Sequence, residues 1–263
     1  MIIPPYLSSM IRREPPVKEL IVEGSTPVIY FGDFRSARVA TLGINPSNRE
    51  FEEDSELLKG DRRRLSTLES LGANSLESLT EEQVHQVVQD CDNYFQNPNY
   101  YRGWFDQIEA VIKPGLGVSF FDGSACHLDL VQWATKDKWA TKDKSGDLEP
   151  KDKSRLLDEG RPHLLNLLKN SQISLVIVNG KSVWNELKSA GFGAEKNIGT
   201  LTFGKSKTTC QLLINKSEKL VFLGWSSNIP SQQGTKNDEF KRDLAKWLRD
   251  LTKWLEDQNG SEL

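Results

Sequence analysis

The sequence predicts an α/β fold: a single domain with a short, central, mostly parallel β-sheet that is flanked by helices. Apolar runs typical of buried strands, such as residues 173–178 and 220–223, alternate with longer stretches of helical periodicity. This alternation is the pattern of a parallel sheet with helices on both faces. The length of 263 residues is sufficient for one large hydrophobic core.

Strands are predicted where β-branched and other apolar residues run up to glycine, asparagine or proline. A turn at Gly32-Asp33 is expected to separate the first two strands, and Gly123 interrupts the third. In chain order the predicted strands are residues 27–31, 38–43, 116–130, 173–178, 208–214 and 220–223.

Helices are predicted between these strands. Residues 54–111 show helical periodicity with breaks near Gly72 and Pro98. Thr80 followed by Gln83 has the form of a capping box, so a helix is expected to begin there.

Three further helices are predicted in the second half of the chain. Residues 154–168 form the first, and Asn179-Gly180 is expected to turn the chain into the second, which runs through Leu187. The third lies at the end of the chain and has an apolar stripe made of Phe240, Leu244, Trp247, Leu248, Leu251, Trp254 and Leu255.

The chain is predicted to hold one folded domain, residues 27–258, between a proline-punctuated arm (residues 1–26) along the surface and a short tail (residues 259–263). Within the domain, residues 54–112 are interpreted as a helical insertion and residues 133–153 as a charged loop. That loop contains two consecutive copies of Trp-Ala-Thr-Lys-Asp-Lys. Two short copies are too few for a repeat architecture, so they are either a local duplication in an exposed loop or lysines for a phosphate backbone.

The charge balance and the cysteine content exclude several classes of protein. Lys and Arg total 34 against 37 Asp and Glu, so the chain is neither a disordered acidic protein nor a uniformly basic nucleic-acid binder. No apolar run approaches the roughly 18 residues of a membrane span, and prolines near the start argue against a signal peptide. We therefore expect a cytoplasmic protein without membrane contact. A monomer is also expected. Cys91, Cys126 and Cys210 are widely spaced and odd in number, so neither a disulfide framework nor a cysteine-bound metal centre is expected.

Three polar segments follow or interrupt predicted strands, at residues 43–47, 124–129 and 224–234. In open parallel sheets, ligands bind beyond the carboxyl ends of the strands, so these segments are the candidate site. The sequence has no Walker phosphate-binding motif, dinucleotide-binding glycine motif, zinc-protease helix motif or hydrolase nucleophile elbow. Kinase, dehydrogenase, metalloprotease and serine-hydrolase functions are therefore disfavoured.

Two of these segments resemble the motifs of a known superfamily. Thr41-Leu-Gly-Ile-Asn-Pro-Ser47 resembles motif one of the uracil-DNA glycosylase superfamily, in the form found in its mismatch-specific and thymine-DNA branch; the single-strand-selective branch has a similar motif. Residues 226–234 resemble motif two, and the resemblance covers roughly residues 27–255. It implies a three-layer sandwich that binds DNA, flips one nucleotide and hydrolyses its N-glycosidic bond without a cofactor.

The resemblance assigns roles to residues of both motifs. Asn45 matches the asparagine that positions the attacking water, and a neutral amide suits a sugar that becomes oxocarbenium-like as the base leaves. Ser47 stands where relatives have glycine and is assigned to the base pocket. Motif two implies a loop for phosphate and for the wedge that enters the duplex, formed here by Asn228, Ser231, Gln232 and Gln233. Such residues are also ordinary choices for a loop before a helix.

Base recognition is predicted at the central polar strand, where many relatives carry an asparagine that reads uracil. Here His127 and Asp129 alternate onto one side of the strand. An ionised carboxylate accepts a hydrogen bond from the amino group of cytosine and repels the oxygen that uracil presents there, which favours a cytosine-type base. The alternatives are a helix-capping aspartate and a structural histidine. Phe51 is predicted either to stack on the base or to lie in the core.

Two other segments suggest nucleic-acid contacts. Residues 100–105 combine aromatic side chains with an arginine, and residues 62–64 are all arginine. Structural roles are favoured for both, because Trp104 and Phe105 fit the buried stripe of a helix and acidic neighbours dilute the arginines.

The leading hypothesis is a monofunctional DNA glycosylase that leaves an abasic site at a modified pyrimidine. Some members of the superfamily act in prokaryotic defence on hypermodified cytosines such as glucosylated hydroxymethylcytosine of phage DNA, and the polarity of His127 and Asp129 suits such a base. The alternatives are a uracil or thymine-mismatch repair glycosylase, an N-glycosidase for free nucleotides, and a non-catalytic module that binds modified DNA. No lysine lies in either motif, so no lyase step is expected.

Overall fold

The computed structural model describes residues 3–136, 139, 148–192, 194–203, 206–215, 219–229 and 238–259. The α-helices in these residues are α1 (Pro5–Ile11), α2 (Leu68–Leu71), α3 (Glu81–Asp92), α4 (Arg102–Leu116), α5 (Pro150–Lys169), α6 (Lys181–Ser189) and α7 (Asp238–Asn259). The strands are β1 (Val39–Gly43), β2 (Glu52–Glu53), β3 (Glu56–Leu57), β4 (Ala125–Asp129), β5 (Leu175–Asn179), β6 (Ala194–Phe203), β7 (Ser206–Asn215) and β8 (Leu220–Trp225). Among the described helices, none has the length and apolar character needed to cross a membrane.

A six-stranded sheet with the order β4-β1-β5-β8-β7-β6 forms the centre of the fold. β4, β1, β5 and β8 are parallel, whereas β7 is antiparallel to both of its neighbours, β8 and β6. A separate two-stranded sheet joins β2 to β3. The predicted α/β class, with a mostly parallel sheet flanked by helices, is confirmed.

The parallel strands are buried and mostly apolar, as is typical of strands that are covered on both faces. Residues 176–178 of β5 are fully buried, and every residue of β1 and β4 is buried. Aromatic side chains from the helical region extend this core. The rings of Phe31, Tyr94 and Phe105 contact one another at tilted or edge-on angles, with centroids 4.7 to 5.4 Å apart.

The carboxyl ends of the parallel strands lie level at one edge of the sheet. Gly43 at the end of β1 is opposite Asp129 at the end of β4, and Asn179 at the end of β5 is opposite Trp225 of β8. The direction in which strands are added reverses at β1, which has β4 on one side and β5 on the other. Ligand sites of open α/β sheets lie in the crevice at such a reversal.

The N-terminal arm is part of the core, which corrects the prediction of a surface segment. α1 buries Leu7, Met10 and Ile11 completely, and Arg13, which follows it, forms an ion pair with Glu159 of α5. The prolines do not prevent this packing, because one of them occupies the first helical turn, where no N–H group is required.

Residues 27–31 do not form the predicted strand. The segment meets β4 through a single bridge, in which Phe31 and His127 exchange backbone hydrogen bonds of 2.9 Å. Pro27 at its start has no N–H group to donate to a strand ladder. The segment therefore runs beside the sheet as buried, irregular chain.

The helical insertion predicted for residues 54–112 is only partly helical. The chain first forms the β2–β3 hairpin, whose turn residues Asp54 and Ser55 both have positive φ, as in a type I′ turn. The predicted capping box at the start of α3 is confirmed: Gln83 N donates to Thr80 Oγ1 at 3.3 Å, and Thr80 N donates to Gln83 Oε1 at 2.8 Å. The sequence predicts a helix here because the polar residues of the hairpin have the same composition as the exposed face of a helix.

Other element boundaries also differ from the predictions. The strand predicted within residues 116–130 is only β4, because α4 continues to Leu116 and ends at Gly117, whose φ is 67°. β6 was not predicted from the sequence. The helices predicted at residues 154–168, after Asn179-Gly180 and at the end of the chain are confirmed as α5, α6 and α7.

α5 approaches the sheet closely at Gly160. A Cβ atom at this position would lie against the backbone oxygen of Leu130 and 3.0 Å from the Cα atom of Val131, the two residues that follow β4. The absence of a side chain therefore lets α5 cover the end of β4, where the polar segment begins.

Gly160→Ala is expected to lower the free energy of unfolding by about 1–3 kcal/mol, because the added methyl group overpacks this contact. In an unobstructed helix the same change stabilises by about 1 kcal/mol. Urea unfolding followed by circular dichroism measures the difference, and Ser154→Ala on the exposed face of α5 is the control. A variant as stable as the parent chain would contradict the close contact.

Candidate functional site

A cavity of about 580 Å³ lies at the carboxyl ends of β1, β4 and β5. Its walls include the loop after β1, the end of β4, the start of α6 and the start of α4. The cavity therefore occupies the crevice where the strand order reverses, which is the position expected for a ligand site. It brings together polar residues that are distant in the sequence, among them Asn45, His127, Asp129, Asn179 and Asn228.

Asn45, in the loop after β1, is held by its amide nitrogen. Nδ2 donates to Pro46 O at 3.1 Å, to Trp133 O at 3.4 Å and to Thr135 Oγ1 at 3.1 Å. No described residue donates a hydrogen bond to Oδ1, so that oxygen is available to a water molecule in the cavity. The amide is thus fixed in orientation, with its acceptor open.

Part of the tandem hexapeptide lies at this cavity. The first copy supplies the two Asn45 partners Trp133 and Thr135, and Trp133 is fully buried. Lys136 and Trp139 line the cavity mouth. Apart from Trp139, the second copy lies outside the described residues, as do positions 137 and 138. The interpretation as an exposed loop duplication is therefore wrong for residues 133–135, which are buried.

His127 and Asp129 form a buried pair on one side of β4. Thr41 Oγ1 lies 2.7 Å from His127 Nδ1, and His127 Nε2 lies 3.4 Å from Asp129 Oδ1. The two residues are 4 % and 5 % exposed. Asp129 Oδ2 is buried and has no hydrogen-bond partner among the described residues. A buried acceptor without a donor is costly, so this atom is a point at which a ligand donor would be stabilised.

Gly43 makes room for this pair. It is opposite Asp129 in the sheet, and a Cβ atom there would collide with Asp129 Oδ1 and lie 3.1 Å from His127 Nε2. The glycine of the Gly-Ile-Asn-Pro segment is therefore required by the side chains of the neighbouring strand.

Glu50 is a cavity residue that sequence reasoning missed. It lies in a short 3₁₀ turn that Ser47 starts by accepting a hydrogen bond from Arg49 N, and it is only 2 % exposed. Tyr94 Oη donates to Glu50 Oε2 at 2.5 Å. Burial, and the charge of Asp129 to a smaller extent, raise the pKa of Glu50 to about 8. No local signal separates Glu50 from its acidic neighbours in the sequence, because only tertiary packing buries it.

Asn179 connects the end of β5 to the second predicted motif. Its Oδ1 accepts hydrogen bonds from Trp225 Nε1 at 2.9 Å and Ile229 N at 3.1 Å, and its Nδ2 donates to Asn228 Oδ1 at 3.1 Å. Gly180 has a φ of 103° and lies against Asn228, so the turn into α6 needs glycine. These contacts place Asn228 at the cavity wall.

The remaining predicted site residues divide into three groups. Ser47 lines the cavity, and its role in binding a base stays a prediction. Phe51 is 1 % exposed and belongs to the hydrophobic core, which corrects its assignment to base stacking. The wedge and phosphate residues lie outside the described part of the chain and stay predictions: Ser231, Gln232 and Gln233.

Aromatic and basic side chains surround the polar groups. The aromatic residues at the cavity are Phe31, Tyr101, Trp104, Phe105 and Trp139. The exposed cations at its mouth are Arg49, Lys136 and Lys181. The arginines at 62–64 interact with other protein groups and do not line the cavity. Arg62 forms an ion pair with Glu53, and Arg63 lies 3.8 Å from Asp90. Arg64 donates hydrogen bonds to backbone carbonyl groups.

The contribution of Glu50 to the free energy of unfolding is expected to fall as pH rises from about 4.5 to about 8, because folded Glu50 keeps its proton over this range while the unfolded carboxyl loses it. One proton contributes a slope of up to about 1.4 kcal/mol per pH unit. Glu50→Gln should remove this contribution, whereas Glu53→Gln, which alters an exposed carboxylate, should keep it. Urea unfolding at several pH values measures the slopes, and equal slopes in the two variants would contradict the assignment.

A comparison with protein-family models gives no match for this chain, and a comparison with curated proteins gives none either.

Proposed function

We propose that the chain is a monofunctional DNA glycosylase that hydrolyses the N-glycosidic bond of a flipped, cytosine-type nucleotide and leaves an abasic site. One observation carries the proposal. A single cavity holds a fixed amide, Asn45, with its Oδ1 open, and a buried carboxylate, Asp129, with its Oδ2 open. The first suits an attacking water and the second suits the amino group of a base.

The reaction requires of Asn45 only that its amide orient the attacking water. As the bond between C1′ and the base nitrogen breaks, its electron pair stays with the base and positive charge develops on the sugar. Water then needs only to be positioned close to C1′, because the cationic sugar is a strong electrophile. An amide oxygen that accepts one water proton as a hydrogen bond fixes the water without removing that proton early.

Asp129 supports a preference for cytosine-type bases. Its open Oδ2 accepts a hydrogen bond, which the exocyclic amino group of cytosine donates and the corresponding oxygen of uracil or thymine does not. His127 Nε2 lies 3.4 Å from the other carboxylate oxygen, Oδ1. A site built for an amino group rejects an analogue that lacks one, because a buried acceptor is then left unpaired.

The surroundings of the cavity support a nucleotide in DNA as the substrate. Tyr101 and Trp104 offer half-buried aromatic surfaces for stacking, and Arg49, Lys136 and Lys181 place positive charge at the mouth for phosphates. The cavity volume lies in the range of pockets that take drug-sized ligands, which leaves space for a substituent on the base. We therefore extend the proposal to hypermodified cytosines, such as glucosylated hydroxymethylcytosine in phage DNA, and to an antiviral role.

The same proposal has the chain act as a cytoplasmic monomer. Among the described residues, the large hydrophobic side chains that are exposed are Phe121 and Ile214, which do not supply a broad apolar surface for self-association.

A second candidate function is an N-glycosidase for free nucleotides. It is favoured by the net charge of −3, because an acidic chain gains little nonspecific attraction to DNA.

Asn45→Ala is expected to reduce base excision at least about a hundredfold while the fold is kept, because the water loses its orienting oxygen. The assay uses DNA with uracil, a thymine mismatch, hydroxymethylcytosine or glucosylated hydroxymethylcytosine, followed by alkali to reveal abasic sites, and includes the free nucleotides. Asn166→Ala, at an exposed position of α5, is the matched control. Full excision by Asn45→Ala would refute the role of this residue, and activity on nucleotides alone would select the second candidate.

Asp129→Asn is expected to shift the base preference away from cytosine, because the amide replaces one of the two carboxyl oxygens with a nitrogen that donates. The measurement is the ratio of excision rates on cytosine-type and uracil-type substrates, with Asp158→Asn as a control on an exposed carboxylate. An unchanged ratio would mean that Asp129 has a structural role only.

A further inference from the structure

Two carboxyl groups, those of Glu50 and Asp129, line one cavity in different surroundings. Asp129 faces His127 and has an open acceptor oxygen. Glu50 accepts a hydrogen bond from the neutral phenol of Tyr94. Paired carboxyl groups whose surroundings differ take different protonation states, and thereby serve different roles in catalysis.

One oxygen of Glu50 is engaged by the protein and the other is not. Tyr94 Oη donates to Oε2 at 2.5 Å, and Tyr101 N donates to Tyr94 Oη at 2.9 Å, which orients the phenol. Among the described residues, nothing hydrogen-bonds to Oε1 and no cation forms an ion pair with Glu50. A proton on Glu50 therefore has its place on Oε1, at the cavity wall.

The groups around Glu50 favour the neutral acid. Burial raises its pKa most, and the negative charge of Asp129 on β4 raises it further. The hydrogen bond from Tyr94 and the positive charge of Arg64 lower it, but Arg64 directs its guanidinium to two backbone carbonyl groups. The result is a carboxyl group that keeps its proton at neutral pH.

We propose that Glu50 is a catalytic residue that donates a hydrogen bond, and then its proton, to ring nitrogen N3 of the bound base. This inference rests on the proposed function and narrows its substrate class. Cytosine presents a donor at its amino group and an acceptor at N3, which match the acceptor of Asp129 and the donor of Glu50. Uracil and thymine present an acceptor and a donor at these positions, so both contacts would be mismatched.

The proton that Glu50 donates also makes the base a better leaving group. Cytosine departs poorly as an anion, and protonation at N3 allows it to leave as a neutral molecule. The C1′–N1 bond breaks with its electron pair moving into the ring, the proton of Glu50 moves to N3, and the water oxygen bonds to C1′. The proton lost by that water passes to solvent, and solvent reprotonates Glu50 before the next turnover. Proton donation of this kind contributes roughly 10² to 10⁴ in rate.

The test compares the parent chain with Glu50→Gln, Glu50→Leu and the exposed-carboxylate control Glu53→Gln. The single-turnover rate at which each variant excises the cytosine-type base is measured from pH 5 to 9.5. Binding is measured with oligonucleotides that carry 2′-fluoro-deoxycytidine or 2′-fluoro-deoxyuridine, because fluorine destabilises the sugar cation and blocks cleavage. Circular dichroism establishes that each variant is folded.

The parent rate should fall about tenfold per pH unit above about pH 8. Glu50→Gln should be roughly a hundredfold slower and lack this decline, because its amide donates a hydrogen bond but has no proton to give. It should still prefer the cytosine oligonucleotide, whereas Glu50→Leu should lose that preference. Glu53→Gln should behave as the parent chain does.

A parent-like rate and pH profile in Glu50→Gln, or a parent-like cytosine preference in Glu50→Leu, would overturn the proposal. The binding measurement separates this outcome from failure of the proposed function. If the parent chain excises no base yet prefers the cytosine oligonucleotide through Glu50, the glycosylase activity is refuted and the donor contact stands. If the parent chain excises cytosine-type bases and the Glu50 variants are unaffected, only the role of Glu50 is refuted.

Discussion

The site depends on one steric constraint, the absence of a side chain at Gly43. β1 and β4 are paired so that Gly43 lies beside Asp129, and a methyl group there would displace both Asp129 and His127. The same residue begins the loop that carries Asn45. One small residue at the carboxyl end of β1 therefore leaves room for the His127–Asp129 pair beside the loop that holds the Asn45 amide.

The cavity contains two buried carboxyl groups, whereas its exposed cations lie at the mouth. Asp129 has an open oxygen, and Glu50, bonded to Tyr94, is more stable as the neutral acid than as a second anion. The positive charges of Arg49 and Lys136 lie at the mouth instead of inside. A ligand with phosphate at one end and an amino-substituted ring at the other would meet complementary groups at both ends, which is the physical basis of the proposed substrate class.

Sequence reasoning succeeded where local chemistry decides the outcome. The capping box at Thr80 depends on contacts within four residues, and the apolar run of β5 is recognisable because both faces of that strand are buried. It failed where burial depends on distant parts of the chain. The arm residue Leu7 is fully buried although the prolines predict a surface segment, and the choice between base stacking and the core for Phe51 is decided only by packing, which places it in the core.

The sequence by itself determined the α/β class and the polar strand ends with His127 and Asp129, because periodicity and residue chemistry are local properties, and a resemblance to a known motif added the candidate Asn45. Only the tertiary structure decided that these side chains share one cavity, that Thr135 of the tandem hexapeptide fixes the Asn45 amide, and that Glu50 is buried among them. The reason is that strand order and register, which set the distances between separate segments, come from packing of the whole chain.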